Sequence, residues 1–305
     1  MKHFIKKIIL YSLPLLLLAI VAEILLRRIP NAYQLKAATY AKDASKFRVW
    51  ILGSSYGLHN LNPIWFDQPT YNGCHVLQTL DLDYKIFNKY EKNFDHLEYV
   101  IIPITFASFF YKMENSNANF FLKNYIIYYG LNVGQPSQYL EILDQSFSIN
   151  RTRIFSYYIN HHLDLNMTQL GFDSLFHKAG GKATIGGPTA SEAIEKLEFT
   201  GKSLYEEQES NLEKIIRRCG ERNIKLLLFT PPAYKGFYGP GDTANLNKTI
   251  STCQTMQSKY SNVRYFNFST DTSFAFDDFY DYSHLNEIGS KKLSVKFSNI
   301  IKNEQ

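Results

Sequence analysis

Two short segments, far apart in the chain, carry the residue types of a serine nucleophile and of the base that would activate it. Residues 53–56 read GSSY after an apolar run, and residues 281–284 read DYSH. A serine hydroxyl is a weak nucleophile unless a neighbouring base takes its proton. A carboxylate can hold such a base in the right tautomer and stabilise the imidazolium that forms. The spacing therefore predicts Ser55 as nucleophile, His284 as base and Asp281 as the orienting acid.

The nucleophile needs an exposed position next to groups that stabilise an anion. Residues 47–52 are apolar and predict a strand, after which Gly53 permits a tight turn into a helix. A serine at the C-terminal end of a parallel strand lies at the rim where α/β proteins bind ligands. The N–H groups that begin the next helix, including that of Ser55, would then face a developing oxyanion.

The rest of the chain alternates between apolar runs and helical patterns. Further strands are predicted at residues 99–105, 224–230 and 263–268, and helices at residues 79–93, 203–222, 246–259 and 287–302, the last capped by Asn286. Strands that alternate with helices indicate an α/β fold with a doubly wound parallel sheet and right-handed crossovers.

The first thirty residues predict an uncleaved membrane anchor. The apolar stretch from residue 8 to 26, about 19 residues, can span a hydrocarbon core, and it is preceded by lysines and closed by Arg27 and Arg28. A secretory signal peptide, cut near Ala37 or Ala38, is the alternative, but such peptides have a shorter apolar core. Basic residues flank both ends, so the positive-inside rule discriminates weakly. The simpler topology is a single pass through the cell membrane with the domain outside the cytoplasm.

A stretch from residue 106 to 200 breaks the alternation with aromatic runs and a glycine-dotted segment. This pattern predicts a mostly helical insertion between two strands. The insertion either forms a wall of a site or only packs against the domain. The predicted organisation is an anchor at residues 1–30, a spacer at 31–45 and an α/β domain at 46–305.

Composition and spacing exclude several other functions. The net charge of +5 is dispersed, so no nucleic-acid partner is expected. The three cysteines lack the spacing of a zinc site and do not form an even-numbered disulfide framework, although one oxidised pair stays open. No glycine pattern fits a phosphate or dinucleotide loop, and we expect neither a cofactor nor a metal.

The remaining candidate side chains are assigned smaller roles. Asp277 and Asp278 are rival carboxylates for the base, but the three-residue offset favours Asp281. His59 either lies near the site or is a helix-face residue. The histidines of the insertion, His161, His162 and His177, are expected at the surface or in packing.

The chain resembles the SGNH/GDSL hydrolases over residues 47–301, apart from the insertion. In that family an apolar strand leads into Gly-Asp-Ser and a helix, and the last block is D-x-x-H before a helix. Here ILGSSY places Ser54 at the Asp position and Ser55 at the nucleophile, and DYSHLNEIG supplies Asp281 and His284. The resemblance implies a three-layer, flavodoxin-like sheet and a Ser-His-Asp triad.

Two middle blocks of the family, which supply oxyanion donors, are altered here. The second is matched by YNGCHVLQ at residues 71–78, where Leu77 stands at a position usually held by glycine. The third usually ends in an Asn, which is absent after the strand that ends at residue 105, and Thr105 or Ser108 would substitute. The implied donors are thus the N–H groups of Ser55 and Leu77 with one of these hydroxyls. Losing one such donor can lower a rate roughly 100- to 1000-fold.

The membrane anchor, the GSS motif and the HLN ending look most like SGNH proteins of bacterial surface-polysaccharide or teichoic-acid acylation. That resemblance implies a serine esterase or O-acyltransferase that acts on acyl esters, commonly acetyl, of cell-surface glycans. The alternative is a weak or inactive accessory subunit that binds a membrane acyltransferase or a glycan. A cytoplasmic or nucleic-acid-directed enzyme is disfavoured by the anchor and by the dispersed charge.

Overall fold

A computed structural model of the chain describes residues 2–176, 192, 202–239 and 243–304. Within them, five strands form one parallel sheet: β1 (Val49–Ile51), β2 (Thr70–Asn72), β3 (Tyr99–Pro103), β4 (Lys225–Thr230) and β5 (Val263–Asn267). The predicted α/β class is confirmed, and every predicted strand is present. The sequence did not predict β2, because three residues of mixed polarity form no apolar run.

The strand order β2-β1-β3-β4-β5 determines where a ligand site can form. The chain leaves β1 for β2 on one side and then crosses to β3 on the other, so the winding reverses between β1 and β3. In doubly wound sheets of this order, ligands bind in the crevice at the carboxyl ends of the two strands that flank the reversal. Ile51 of β1 pairs with Ile101 of β3, so the loops after these strands meet at that crevice.

The helices agree with the sequence prediction wherever it was made. They are α1 (Lys2–Arg28), α2 (Ala32–Lys42), α3 (Ser55–Leu58), α4 (Leu80–Tyr90), α5 (Leu122–Ile127), α6 (Glu141–Asp144), α7 (Phe147–Tyr158), α8 (Lys202–Glu221), α9 (Thr243–Lys259) and α10 (Glu287–Asn303). As predicted, Asn286 caps α10: its side chain accepts the N–H groups of Ile288 and Gly289 at 2.9 and 3.2 Å.

Helices cover both faces of the sheet, because successive side chains of each strand point to opposite faces. On one face, Ile51 and Ile101 belong to a buried cluster that includes Phe297 of α10. On the other, Trp50 is fully buried and stacks on Phe87 of α4, with ring centroids 5.8 Å apart. The sheet is therefore the middle of three layers.

The chain divides into two compact units. One comprises Met1–Ala37 and Asn119–Leu165, and the other comprises Ala38–Ala118 and Asn166–Gln305. The second unit contains the whole sheet. The first contains α1 with α5 to α7, and these three helices come from the predicted insertion. The glycine-dotted end of that insertion lies almost entirely outside the described residues, and the boundaries of anchor, spacer and domain stay predictions.

Helix α1 of the first unit contains a segment, Leu10–Arg28, that is long and apolar enough to cross a membrane: 19 residues with a mean hydropathy of 2.0. A signal sequence meets the same criteria, so the anchor also stays a prediction. The end of α1 is bonded to the helices of its own unit. Glu23 accepts the N–H groups of Glu141 and Ile142 at 3.1 and 2.9 Å. Tyr158 of α7 donates to the carbonyl of Leu25 at 3.0 Å.

Candidate active site

Ser55 is the first residue of α3 and directly follows the turn after β1. Gly53 in that turn has a φ of +121°, which side-chain-bearing residues rarely adopt. A Cβ atom on Gly53 would also lie 2.7 Å from Cδ of Pro103. Only glycine fits between the two strands, and the turn it makes places the Ser55 N–H among those with no partner inside the helix.

Asn72, at the end of β2, ties the next loop of the site to α3. Its fully buried side chain donates to the carbonyl of Gly57 at 2.8 Å and accepts the N–H of Cys74 at 3.1 Å. The loop then runs along the nucleophile turn, because the N–H of His75 donates to the carbonyl of Gly53 at 3.1 Å. This one amide side chain therefore aligns both loops at the crevice.

A short, closed loop before α10 carries His284. The N–H of Tyr280 donates to the carbonyl of His284 at 2.9 Å, and Phe279 and Leu285 form an isolated β-bridge. The N–H of Leu285 also donates to the side chain of Asn60 at 2.9 Å. Because Asn60 closely follows α3, the loop of the imidazole is fastened to the element that carries the serine.

Ser55, His284 and Asp281 form one hydrogen-bonded chain. Oγ of Ser55 lies 2.9 Å from Nε2 of His284, and Nδ1 of that ring lies 3.0 Å from Oδ2 of Asp281. Asp281 also accepts the backbone N–H groups of Ser283 and His284, at 2.8 and 2.7 Å. With the Nδ1 proton directed to the carboxylate, Nε2 is free to accept the serine proton. The structure thus brings together the three residues that the sequence spacing selected.

Asp281 remains ionised in this setting. Burial raises the pKa of Asp281. The hydrogen bond and charge of His284 and the two backbone N–H groups lower it by more than that, so the pKa lies below the ordinary 3.8. The rival Asp278 is engaged elsewhere, since its carboxylate lies 2.7 Å from Nζ of Lys292 and accepts the N–H of Ala275. The carboxylate beside the imidazole is that of Asp281.

Aromatic side chains that the sequence analysis did not select surround the His284 ring. Tyr56 stacks on it with centroids 4.9 Å apart, and its hydroxyl is hydrogen-bonded to Ser283. Phe176 meets the ring edge-on at 5.2 Å and stacks on Tyr280 at 4.2 Å. Tyr56, Ser283 and Tyr280 lie in or beside the two motifs and could have been proposed from adjacency. No local signal marks Phe176.

The other histidines considered in the sequence, His59, His161, His162 and His177, lie in different places. His59 meets the imidazole of His284 edge-on at 5.8 Å and is buried, so it is a neighbour of the site. His161 and His162 are exposed and belong to the first unit. His177 lies outside the described residues. Among the residues that are described, no group of His, Cys, Asp and Glu side chains is arranged to hold a metal ion.

Leu77 has a backbone conformation that usually belongs to glycine. Its φ is +57°, which is uncommon for a residue with a side chain and strained for a bulky one. Leu77 thus has a glycine-like backbone at the position where the resemblance leads one to expect glycine. Leu77 and Ser55 line the same cavity. Within the described part of the chain, no hydrogen bond uses the Leu77 N–H.

Thr105 and Ser108 form a turn after β3 and line that cavity as well. The Ser108 hydroxyl accepts the N–H of Thr105 at 2.8 Å, and the Thr105 hydroxyl accepts the N–H of Ala107 at 3.2 Å. The two hydroxyl oxygens lie 3.3 Å apart, so one donates to the other. Only one hydroxyl hydrogen of the pair is then left for an external acceptor.

Asp83 of α4 is a buried carboxyl at the site, although no sequence pattern marks it. It lies behind the nucleophile turn, where it accepts Nε2 of Gln78 at 2.6 Å and the backbone N–H of Gly53. Burial raises its pKa to about 7, and the nearby charge of Asp81 also raises it, while the two hydrogen bonds act in the opposite direction. Asp83 therefore titrates near neutral pH while it supports the turn of Ser55.

Asp83→Asn is expected to make the protein more stable at alkaline pH. The folded-state pKa of about 7 exceeds the ordinary 3.8, so the stability that goes with the protonated carboxyl is complete below about pH 4 and is lost as the pH rises through about 7. The difference between a pKa of about 7 and the ordinary 3.8 corresponds to at most about 4 kcal/mol of the free energy of unfolding. Thermal unfolding at about pH 5 and about pH 8 measures it. Asp83→Asn should raise Tm more at the higher pH than at the lower. The control is Asp95→Asn at an exposed position, which should change Tm equally at the two pH values. An equal gain at both pH values would contradict the prediction.

Comparison with solved structures finds distant similarity to two hydrolase-related proteins. No family model matches the sequence, and no curated protein matches it at a significant level. A candidate acylhydrolase from Bacteroides fragilis is 11% identical, with a TM-score of 0.43 over 88% of this chain and 94% of that one. A candidate platelet activating factor from Streptococcus pneumoniae is 10% identical, with a TM-score of 0.42 over 94% of this chain and 98% of that one. Similarity at this level assigns no activity, so the function rests on the chain's own contacts.

Proposed function

We propose that this protein is a serine esterase or O-acyltransferase of the SGNH type. The observation that carries the proposal is the hydrogen-bonded chain from Ser55 through His284 to Asp281 at the β1–β3 crevice. A nucleophile, a base within reach of it and an orienting carboxylate are the parts that acyl transfer requires.

In the first half of the reaction, Nε2 of His284 takes the Ser55 proton while Oγ attacks the ester carbonyl carbon. The carbonyl oxygen becomes an oxyanion, for which the N–H groups of Ser55 and Leu77 and one hydroxyl of the Thr105–Ser108 turn are the candidate donors. The bond to the alcohol oxygen then breaks, and His284 gives its proton to that oxygen. The alcohol leaves and the acyl group stays on Ser55.

In the second half, His284 takes a proton from water or from an acceptor hydroxyl, whose oxygen attacks the acyl carbon. Collapse returns the proton to Ser55 and releases an acid or a new ester. Both acceptors use the same groups, so hydrolysis and transfer differ only in which hydroxyl reaches the acyl-enzyme. We propose a cell-surface glycan as ester or acceptor, because the Tyr280 ring is 41% exposed and offers a sugar an apolar face, while Phe176, which it stacks on, contacts His284.

We also propose that α1 anchors the chain in the cell membrane with the sheet-containing unit outside the cytoplasm. Support comes from the first unit, where α6, α7 and the residues that flank them expose large apolar side chains: Leu140, Leu143, Phe147, Phe155 and Ile159. The three native cysteines are buried, so a Thr255→Cys variant can be labelled selectively. Labelling of intact cells by a membrane-impermeant maleimide should occur, and labelling only after lysis would refute this topology.

Mass spectrometry of the intact chain tests the proposed chemistry. Purified protein mixed with p-nitrophenyl acetate should gain one acetyl group, and peptide mapping should place it on Ser55. Because the second half-reaction removes the acyl group, the adduct should accumulate briefly and then decay. Faster decay on addition of a glycan than in buffer would identify transfer. Turnover without any adduct on Ser55 would contradict the proposal.

A further inference from the structure

A cavity of about 270 Å³ opens beside Ser55 and is lined by residues of the loops that follow β2 and β3. Ser55 and His284 lie in its lining, and all of its lining residues belong to the second unit. The apolar side chains that form most of its remaining wall are Leu77, Leu80, Pro103, Phe106, Ala107 and Phe237.

Away from the oxyanion candidates, polar side chains in the wall such as Asp83 and Tyr111 are engaged with the protein. Asp83 is only 1% exposed and is bonded to Gln78 and the Gly53 backbone. The hydroxyl of Tyr111 is bonded to that of Ser116 at 2.8 Å. The cavity beyond Ser55 therefore presents carbon surface, and an occupant without polar atoms suits it best.

The size of the cavity excludes a good fit to acetyl. A buried cavity of about 150 Å³ lined by aliphatic and aromatic side chains holds one benzene molecule, which has six carbon atoms. By that proportion, 270 Å³ would hold at most about 11 carbon atoms, and because the cavity is partly open to solvent we expect roughly six to ten. An acetyl group would leave most of this apolar surface in contact with water.

The position of His284 indicates which side of an ester enters the cavity. The imidazole must protonate the leaving alcohol oxygen, so the alcohol lies toward that ring and toward its neighbour Phe176, which does not line the cavity. The acyl carbon chain then extends the other way, past the oxyanion candidates. Those candidates, Leu77 and the turn that begins at Thr105, belong to the loops that wall the cavity.

We propose that this cavity is an acyl-chain site and that the preferred substrate carries an unbranched acyl group of about six to ten carbons. The inference rests on the proposed function, since it concerns the acyl group that Ser55 accepts. Each methylene buried in the cavity contributes about fourfold to kcat/KM. Six methylenes separate octanoate from acetate, and we expect at least about a 100-fold preference for octanoate, since burial in a half-open cavity is incomplete.

A series of esters tests the proposal. The full-length chain is assayed with p-nitrophenyl acetate, butyrate, hexanoate, octanoate and hexadecanoate, each below the concentration at which it aggregates. kcat/KM should rise to octanoate and fall for hexadecanoate. Methyl octanoate and heptyl acetate are isomers that differ only in which side of the ester is long, and the former should be hydrolysed faster. A flat or falling series, or faster hydrolysis of heptyl acetate, overturns the acyl-chain site and leaves the proposed function standing. No turnover and no Ser55 adduct with any ester overturns both.

A cavity-filling variant supplies a second readout. Ala107→Phe adds a ring within the cavity and should lower the ratio of octanoate to acetate turnover by about tenfold or more. The matched control is Ala244→Phe on the exposed face of α9, which should leave that ratio at the wild-type value. An unchanged ratio in a folded Ala107→Phe variant counts against the acyl-chain site. If that variant does not fold, the ester series and the isomer pair decide alone.

Discussion

Ser55→Ala should lower kcat for ester hydrolysis at least about 10⁴-fold, with a much smaller change in KM. The substitution removes the only atom that forms the acyl bond, while His284 and the oxyanion candidates remain in place. Whatever rate is left would come from water activated at the same histidine. Steady-state kinetics with p-nitrophenyl octanoate measures the loss, and the acyl adduct should vanish from the mass spectrum.

The matched control is Ser258→Ala on α9, where the hydroxyl only bonds the carbonyl of Gln254 one turn earlier. That variant should keep wild-type kinetics and wild-type Tm. If Ser55→Ala keeps its esterase activity, the proposed chemistry is wrong. If Ser55→Ala abolishes hydrolysis but still restores the phenotype of cells that lack the protein, the cellular role is that of an accessory subunit.

The sequence revealed most about the parts of the site that are local in the chain. Asp281 and His284 share one turn-like segment, so their spacing alone implies a contact. Ser55 was found because an apolar strand followed by glycine and serine is a recognisable strand-to-helix turn. The contact between Ser55 and His284 spans 229 residues, and it could be predicted only from the expectation that both loops lie at the carboxyl edge of one sheet.

What the sequence missed depends on tertiary packing. Asp83 reads as an ordinary helix residue, and its raised pKa arises from burial behind Gly53. Phe176 reaches His284 from a loop with no regular pattern. Leu77 was identified by its position, but its φ of +57° could not be inferred from a leucine, which rarely adopts that conformation. At a buried carboxyl such as Asp83 and at a strained backbone such as that of Leu77, the conformational preference of the local sequence disagrees with what the fold imposes.

Asp281→Asn should lower kcat about 10⁴-fold while the loop keeps its structure. The amide oxygen of Asn can still accept the N–H groups of Ser283 and His284, which now bond Oδ1 of Asp281. The amide NH₂ group, however, donates toward Nδ1 of His284 where the carboxylate accepts. The ring then carries its proton on Nε2, which can no longer take the proton of Ser55.

Asp271→Asn is the matched control, because Asp271 accepts the N–H of Ser273 at 2.9 Å in the same kind of turn but pairs with Lys296. It should leave kcat unchanged, and a similar loss in both variants would point to a folding defect.

The pH dependence of stability adds an independent check. The folded-state pKa of Asp281 lies below the ordinary 3.8, so the stability from its charge is present above about pH 4 and is lost as the pH falls through the lower value. Asp281→Asn should therefore lose less stability than wild type on acidification, whatever its activity. An active Asp281→Asn enzyme would show that this carboxylate only holds the loop, and it would leave Ser55 and His284 to act as a dyad.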